Sequence, residues 1–515
     1  MARLFEYQCK ALLAKNGLLT PKGFVCATVD EAYEAAKKLG GQAIVKAQVF
    51  TTKRASFGGV VMADSPTDAR AAAEKLLGMQ VKQFVIEKVL VEQRLEIAAE
   101  YYAGFVVDDR AKAPVLIVSS RGGTGIEEVA AETPDLVSRE TVDLSTGVST
   151  QMAGQLLEKA GVSHDHAELL APAVKTIWQT MQQFEARSAE VNPLVITKAG
   201  KVFAADARMT VDDHSVFRHP ELGIEIAREF SRPPTPLERS SWEVEKDDYR
   251  GTFYFFQLET GFRRGDRVVG FHGAGGGGSM MSMDALLKQG FKPANFCDTS
   301  GNPPASKVYR AARIILAQGP IDGYFGSGSG VASQEQYHSA RGLVKAFREV
   351  NLNVPAVLRL GGNKEELAIR IMTHYTKDLP APVEAYGKDT GPDFCAKRLE
   401  MLVKNNQNDK DPDNPPKKRA KPERPYQFQT LTGRVVLDHA ICERCESKAC
   451  ISACVPGILQ LRNGVPVLKI TEQEAAKGKC TECLACDVDC AVYGLGGGRV
   501  ILPIPGLTDE NGEVA

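Results

Sequence analysis

The chain has 515 residues, of which 43% are hydrophobic and 25% charged, with a formal net charge of -1 and 12 cysteines. That length exceeds what one hydrophobic core supports and points to three modules, and no apolar run approaches bilayer length, which excludes a membrane span. The near-neutral balance offers no basic field for nucleic acid or an anionic membrane.

The opening residues carry Glu6 and Lys10 and show no apolar h-region, so a mature cytoplasmic start is expected. From residue 1 to 232, helical patterns such as Asp30 to Leu39 and Ser65 to Leu77 alternate with strand-like runs such as Ala43 to Val49 and Ala113 to Val118. Pro233, Pro234 and Pro236 then mark an extended connection and a domain boundary. From 241 to 400 the pattern becomes strand, Gly-rich turn and helix, the mark of a doubly wound parallel sheet: Arg267 to Phe271, Gly273 to Gly278, Met280 to Gln289, Val308 to Gln318 and Val354 to Leu360. Residues 404–425 are rich in Asn, Asp, Lys and Pro, cannot offset their ordering entropy, and read as a flexible linker isolating the last module. That module, 426–515, has a hairpin signal at Arg462, Asn463 and Gly464 between two cysteine runs.

Eight of the 12 cysteines fall in those runs. Cys442, Cys445, Cys450 and Cys454 are spaced C-x2-C-x4-C-x3-C, and Cys480, Cys483, Cys486 and Cys490 are spaced C-x2-C-x2-C-x3-C. This is the spacing of two [4Fe-4S] clusters rather than of disulfides, and it implies a reducing compartment. The fourth cysteine of such a run commonly ligates the other cluster. One cubane is therefore expected on Cys442, Cys445, Cys450 and Cys490, the other on Cys480, Cys483, Cys486 and Cys454. Structural zinc is the competing reading. The segment resembles bacterial two-cluster ferredoxins, although Pro456 lies two places beyond Cys454 and Ala491 follows Cys490, so the usual Cys-Pro ending is missing twice. Cys9, Cys26, Cys297 and Cys395 are scattered and expected to be buried as small hydrophobes.

The opening Leu4-Phe5-Glu6-Tyr7-Gln8-Cys9-Lys10, together with Val45-Lys46-Ala47-Gln48-Val49, Gly58-Gly59-Val60, Ala131-Glu132-Thr133-Pro134 and Glu190 to Thr197, resembles succinyl-CoA synthetase beta subunits. The resemblance implies an α/β multidomain chain: an ATP-grasp domain, a flavodoxin-like ligase domain and, at the end, the small α+β ferredoxin-like domain. It implies an ADP-forming acid-CoA ligase that uses ATP, Mg2+ and CoA. By residue, Lys46 and Arg54 match the family's phosphate-binding cations, and Glu92 and Glu100 match acidic residues on the nucleotide's ribose and metal side. Asn192 and Asp206 match its magnesium ligands, and Glu190 the glutamate that faces the phosphohistidine.

Three departures stand out. The loop after the lysine strand is glycine-rich in the family, but Phe50 to Phe57 has no glycine, with Lys53 and Ala55 in glycine positions. Gly273, Gly275 and Gly278 satisfy G-x-G-x-x-G, with Asp298 twenty residues on, which taken alone suggests a dinucleotide; the resemblance assigns that loop to the acyl side of the ligase domain, with His272 in place of an asparagine. The later loop Gly328 to Gln334 lacks the family's carboxylate-binding arginine, so the acid is expected not to be succinate.

None of the eight histidines lies in a phosphohistidine loop, so an alpha-type CoA-binding subunit is the expected partner, together with a redox enzyme or ferredoxin-type partner for the clusters. The alternative is an electron-transfer subunit whose ATP-grasp module is a degenerate scaffold or an ATP-driven gate.

Overall fold

In the computed structural model the described residues are 2–51, 54–82, 84–123, 125–224, 232–246, 253–328, 330, 335–406, 420–509 and 512. They form two compact units, Met1–Pro233 and Pro234–Ala515.

The first unit is built on two antiparallel sheets. In the smaller, the strands run Gly23–Cys26, Lys88–Gln93, Ala43–Gln48, Val60–Ala63. Helices Val29–Lys38 and Pro66–Leu76 cover it, each started by a hydroxyl cap, Thr28 on Glu31 N-H and Ser65 on Asp68 N-H. The alanine-rich faces of both helices let them lie close over Val45, Val89 and Val91. The larger sheet has the order Ala2–Arg3, Ala207–Val211, Ala186–Thr197, Ile97–Asp108, Ala113–Ser119, Val137–Thr141, with Val202–Ala204 paired to the long third strand. Helix His164–Gln183 presents Leu170, Val174, Ile177 and Trp178 to it at helical spacing, which builds the main core of this unit.

The second unit centres on the sheet Tyr254–Gln257, Asn295–Asp298, Val268–Ala274, Gly323–Gly328, Ala356–Arg359, Val383–Tyr386. Every pairing along it is parallel except the first, with helices on both faces, as a doubly wound sheet requires. The helix after the Gly-rich turn starts earlier than its apolar residues suggest. It spans Gly276–Lys288, because hydroxyls at Ser279 and Ser282 bond back to the carbonyls of Gly275 and Gly278 and hold the glycine run in the first turn.

The cysteine module contributes the antiparallel sheet Pro425–Gln429, Arg434–Asp438, Gly498–Ile501 and the hairpin Leu459–Arg462, Val465–Leu468. The turn of that hairpin is Asn463 and Gly464, both left-handed, with φ of 50° and 78°. A linker that leaves this module isolated is not what the described residues show. The helix Pro392–Asn405 enters the segment, residues 407–419 lie outside the described set, and the module beyond shares one core with the ligase helices. Phe428, Val435 and Val500 join Val308, Leu343 and Phe347 in that core. Arg310 donates to Pro503 O at 3.0 Å and to Thr432 O at 2.8 Å, and Tyr375 to Asp489 at 2.5 Å. So small a module gains from this docking the apolar burial it cannot supply alone.

Candidate functional site

The two sheets of the first unit bring together side chains separated by up to two hundred positions. Lys46 stands inside the strand Ala43–Gln48; its side chain is 9% exposed, and its ammonium meets Glu6 at 3.1 Å, the Ala205 carbonyl at 2.7 Å and the carboxylate of Glu92. Arg54 stands in the short 3-10 turn Arg54–Phe57 and reaches the same place, with Nη1 2.6 Å from Glu6 and Nη2 2.6 Å from Asp206. Of the glycine-free loop before it, Thr52 and Lys53 lie outside the described residues. A further bond from Arg54 Nη1 to Ala47 O at 2.9 Å fixes the arginine without any glycine.

Glu6 and Lys10, quoted above only for the family motif, turn out to organise the site. Lys10 lies 2.7 Å from Glu6, one helical turn away, and 2.6 Å from Glu92. Burial pushes the Glu6 carboxyl up, but the charges of Lys10, Lys46 and Arg54 together hold it well below the usual carboxylate range. The i, i+4 spacing of opposite charges on a helix that also buries Cys9 and Leu13 was the available signal. Glu92, expected with Glu100 on the ribose and metal side, is buried, and its carboxylate pairs with Lys10 and Lys46.

Asn192 and Asp206 are adjacent across paired strands, the Asn192 N-H donating to Asp206 O at 3.1 Å. The Gly123 N-H donates to Asn192 Oδ1 at 2.7 Å, and exposed Glu100 sits against that same glycine loop, its backbone carbonyl accepting from Gly122 N-H at 3.2 Å. Burial and the neighbouring Glu6 raise the Asp206 carboxyl despite the cations beside it. Two residues before Asn192, Glu190 accepts a hydrogen bond from the Tyr102 hydroxyl at 3.2 Å and faces Arg208 at 3.5 Å. Tyr102 was not among the expected site residues; a tyrosine inside an apolar strand gave no signal in sequence.

Two strong cations joined through Glu6 to Asp206, with Asn192 bonded to Asp206 and Glu190 two residues before it on the same strand, are the kinds of group needed to hold a metal-bound polyphosphate. The ATP-grasp domain model matches residues 3–196. The beta subunit of the GDP-forming succinate-CoA ligase of Thermus thermophilus is 34% identical over 370 residues, covering 72% of this chain and 93% of that one. The chain belongs to the succinate-CoA ligase beta-subunit family. The ADP-forming counterpart from Rubrobacter xylanophilus is 32% identical over 403 residues, 77% of this chain and 98% of its own length. In fold, the chain is like the ATP citrate lyase from Methanothrix soehngenii, solved with citrate and coenzyme A, at a TM-score of 0.64 and 18% identity over 78% of this chain and 99% of that one.

Within this ligase-family chain, the G-x-G-x-x-G loop is shaped by packing. A Cβ on Gly273 would collide with Ser279 Oγ and the Cys297 carbonyl, and Gly275 takes φ of 91°. Asp298, the residue that would hold a ribose in the dinucleotide reading, instead accepts from Gly275 N-H at 2.8 Å and Ser300 N-H at 2.9 Å. Its carboxylate is spent on holding the loop, which removes the acid such a site needs. Of the loop from Gly328 to Gln334, residues 329 and 331–334 lie outside the described set; Arg359 donates to Gly328 O at 2.8 Å, Thr390 O at 2.6 Å and Lys388 O at 3.0 Å.

His272, beside that loop, is buried with Nδ1 2.6 Å from the Tyr324 hydroxyl. Burial lowers its imidazole to about 4, against about 6.5 unfolded. The unfolded chain therefore takes up the proton first, so stability is full above the unfolded value. It is lost as pH falls from about 6.5 to 4, by about 3 kcal/mol in all. His272→Asn is expected to remove that slope, measured as the urea midpoint of the second unit between about pH 4 and 7.

The eight C-terminal cysteines separate into two sets. A small cavity is lined by Cys442, Cys445, Cys450 and Cys490, with Ile441, Pro466 and Leu495. A second is lined by Cys454, Cys480, Cys483 and Cys486, with Phe428, Ile458 and Val435. Each set takes three cysteines from one run and one from the other. The Gly498 N-H donates to Cys490 Sγ at 3.1 Å. Burial, followed by the charge of Cys490 and Cys445, raises the Cys442 thiol to about 11; burial raises Cys480 to about 12. Among the described residues no group of three or more His, Cys, Asp or Glu is close enough to hold a single metal ion. Cys9, Cys26, Cys297 and Cys395 are buried and unpaired as thiols, and no described helix is long and apolar enough to cross a membrane.

Proposed function

We propose that the chain is the nucleotide-binding beta-type subunit of an ADP-forming acid-CoA ligase, joining a small carboxylic acid to CoA with ATP and Mg2+, and that its last module holds two [4Fe-4S] clusters serving a redox partner. What carries the ligase half is the chain of contacts that joins Lys46 and Arg54 through Glu6 to Asp206 and Asn192, with Glu190 two residues before Asn192 on the same strand. Lys46 and Arg54 supply the positive charge a triphosphate needs, and transfer of a phosphoryl group depends on placement and charge more than on covalent help. Asn192 and Asp206 offer the hard oxygen donors that suit magnesium, which when bound neutralises charge on the phosphates. Glu190, steadied by Tyr102, is available to receive a histidine that carries the phosphoryl group.

An alpha-type CoA-binding subunit supplies that histidine, since His272 is buried against Tyr324 and none of the eight histidines lies in a phosphohistidine loop of the family's kind. Exposed Met280, Met281 and Leu287, on the helix that begins at the Gly-rich loop, give such a subunit apolar surface to dock on.

The redox half is supported by the two four-cysteine cavities. A single zinc needs only four thiolates about 2.3 Å from one point, whereas here two sets of four each take three cysteines from one run and one from the other, the interleaving that two-cluster ferredoxin spacing implies. The apolar lining and the Gly498 N-H on Cys490 are what a buried thiolate cluster requires. Such clusters, when bound, supply one-electron steps, and the chain's part is to bury, space and hydrogen-bond their ligands.

The test is anaerobic co-purification with the cognate alpha-type chain, followed by ADP release measured with and without acid and CoA. Dependence on both is expected, with no phosphorylation of this chain alone by ATP. ADP release indifferent to any carboxylate would favour the second reading, an ATP-driven gate on electron transfer, to which the glycine-free loop 50–57 lends some weight.

A further inference from the structure

Docking of the cysteine module buries a set of charges that neither the nucleotide site nor cysteine ligation uses. Lys345, on the helix Tyr337–Glu349, places its ammonium 2.6 Å from Asp487 Oδ2, the two side chains being 3% and 2% exposed. Asp487 also accepts the Val500 N-H at 2.9 Å. On the other side Lys345 meets Glu349 at 2.6 Å, which in turn meets Arg313 at 2.5 Å and accepts from the Tyr309 hydroxyl at 2.6 Å. These contacts link two cations, Lys345 and Arg313, to two anions, Asp487 and Glu349.

A buried pair of this kind is a weak source of stability, because apolar residues of the same volume do as well or better. Its position suggests a different use. Asp487 lies on the helix Ala485–Tyr493 between Cys486 and Cys490, and those two cysteines line different cavities. A carboxylate there sits beside both sulfur sets at once. Reducing a cluster adds a negative charge, which a buried carboxylate opposes, and in the interior neither water nor salt screens the effect.

We propose that Lys345 is an electrostatic positioning residue for the iron-sulfur module, cancelling the charge of Asp487 beside both clusters and holding their reduction potentials above the values Asp487 alone would impose. The proposal rests on the cluster reading given above. Lys345 belongs to the ligase fold and Asp487 to the cysteine module, so the potentials are set by the docking itself. Anything that shifts the helix Tyr337–Glu349 shifts both of them.

The experiment is a redox titration of the anaerobically purified full chain, followed by electron paramagnetic resonance of the reduced clusters, with iron content measured in parallel. Lys345→Met is expected to move the potentials to more negative values, by about tenfold in the reduced-to-oxidised ratio at fixed potential, which is about 59 mV for a one-electron couple. Asp487→Asn is expected to move them the opposite way, and the Lys345→Met/Asp487→Asn pair to return close to the starting value. Lys345→Arg keeps the charge and the potential. A role confined to packing would lower iron content without shifts of opposite sign. Equal potentials in all iron-loaded variants overturn the proposal. If Lys345→Met alone fails to load, Asp487→Asn and the double variant, which leave no unpaired buried anion at 487, decide it. A wild-type chain that binds no iron brings down the cluster reading itself and this proposal with it.

Discussion

Lys46→Met is expected to cost the first unit about 3–5 kcal/mol of stability and to slow ATP-dependent acyl-CoA formation by about a hundredfold or more. Both effects come from one ammonium. Within the protein, Lys46, Lys10 and Arg54 balance Glu6, Glu92 and the half-buried Asp206, and removing one cation leaves a buried carboxylate without its partner. Toward the nucleotide, the same ammonium is held in place by Glu6, Glu92 and the Ala205 carbonyl. Urea unfolding followed by the fluorescence of buried Trp178, in a Trp242→Phe background, reads the first effect. Lys46→Met/Glu92→Gln separates the two, because it restores charge balance without restoring a cation. Most of the stability should return and none of the turnover. Recovered turnover in that double variant would show that Lys46 does not act on the nucleotide.

The secondary structure of the first unit was legible because its elements obey local rules. Val29–Lys38 and Pro66–Leu76 carry hydroxyl caps and small apolar stripes, and Ala43–Gln48 opens on the apolar run Ala43-Ile44-Val45 that leads into Lys46. The site's cations and its Asn192 and Asp206 were legible only through their joint match to a family pattern. Each alone is an ordinary polar residue. What sequence reading missed was the counter-charge. The Glu6–Lys10 pair shows its i, i+4 spacing in the sequence, but the contacts of Glu6 with Lys46 and of Lys10 with Glu92 lie 40 and 82 positions apart, and no local pattern encodes those.

The docking of the cysteine module was missed for a related reason. Composition correctly marks residues 404–425 as poor in apolar surface, yet a polar connection does not say whether the modules it joins stay apart. That is decided by the apolar faces on either side, Phe428 and Val435 from one module and Val308 and Leu343 from the other, and by buried charges such as Lys345 and Asp487 that each sequence displays as unremarkable surface residues. The glycine motif at Gly273 failed in the opposite direction. A strong local pattern matched a dinucleotide loop, but the acid it needs, Asp298, is turned onto the loop's own N-H groups.

The cysteine runs make the sharpest demand on the fold, because the partition expected from their spacing takes one sulfur of each run into the other run's set. The two cavities take one cysteine each across the runs, Cys490 into the first and Cys454 into the second. Cys454→Ala should therefore behave like Cys480→Ala rather than like its sequence neighbour Cys450→Ala, and Cys490→Ala like Cys442→Ala. Each single change is expected to lose or degrade one cluster, removing up to about half of the bound iron, while the other cluster's spectrum survives. The physical reason is that a cubane holds its four ligands at corners, so a helix such as Ala485–Tyr493 can present Cys486 to one group and Cys490, one turn on, to the other. Spectra and iron content of the five variants, prepared anaerobically, give the pairing directly. If Cys454→Ala instead erased the spectrum that Cys442→Ala and Cys450→Ala erase, the runs would each hold their own cluster and the partition drawn from the cavities would be wrong.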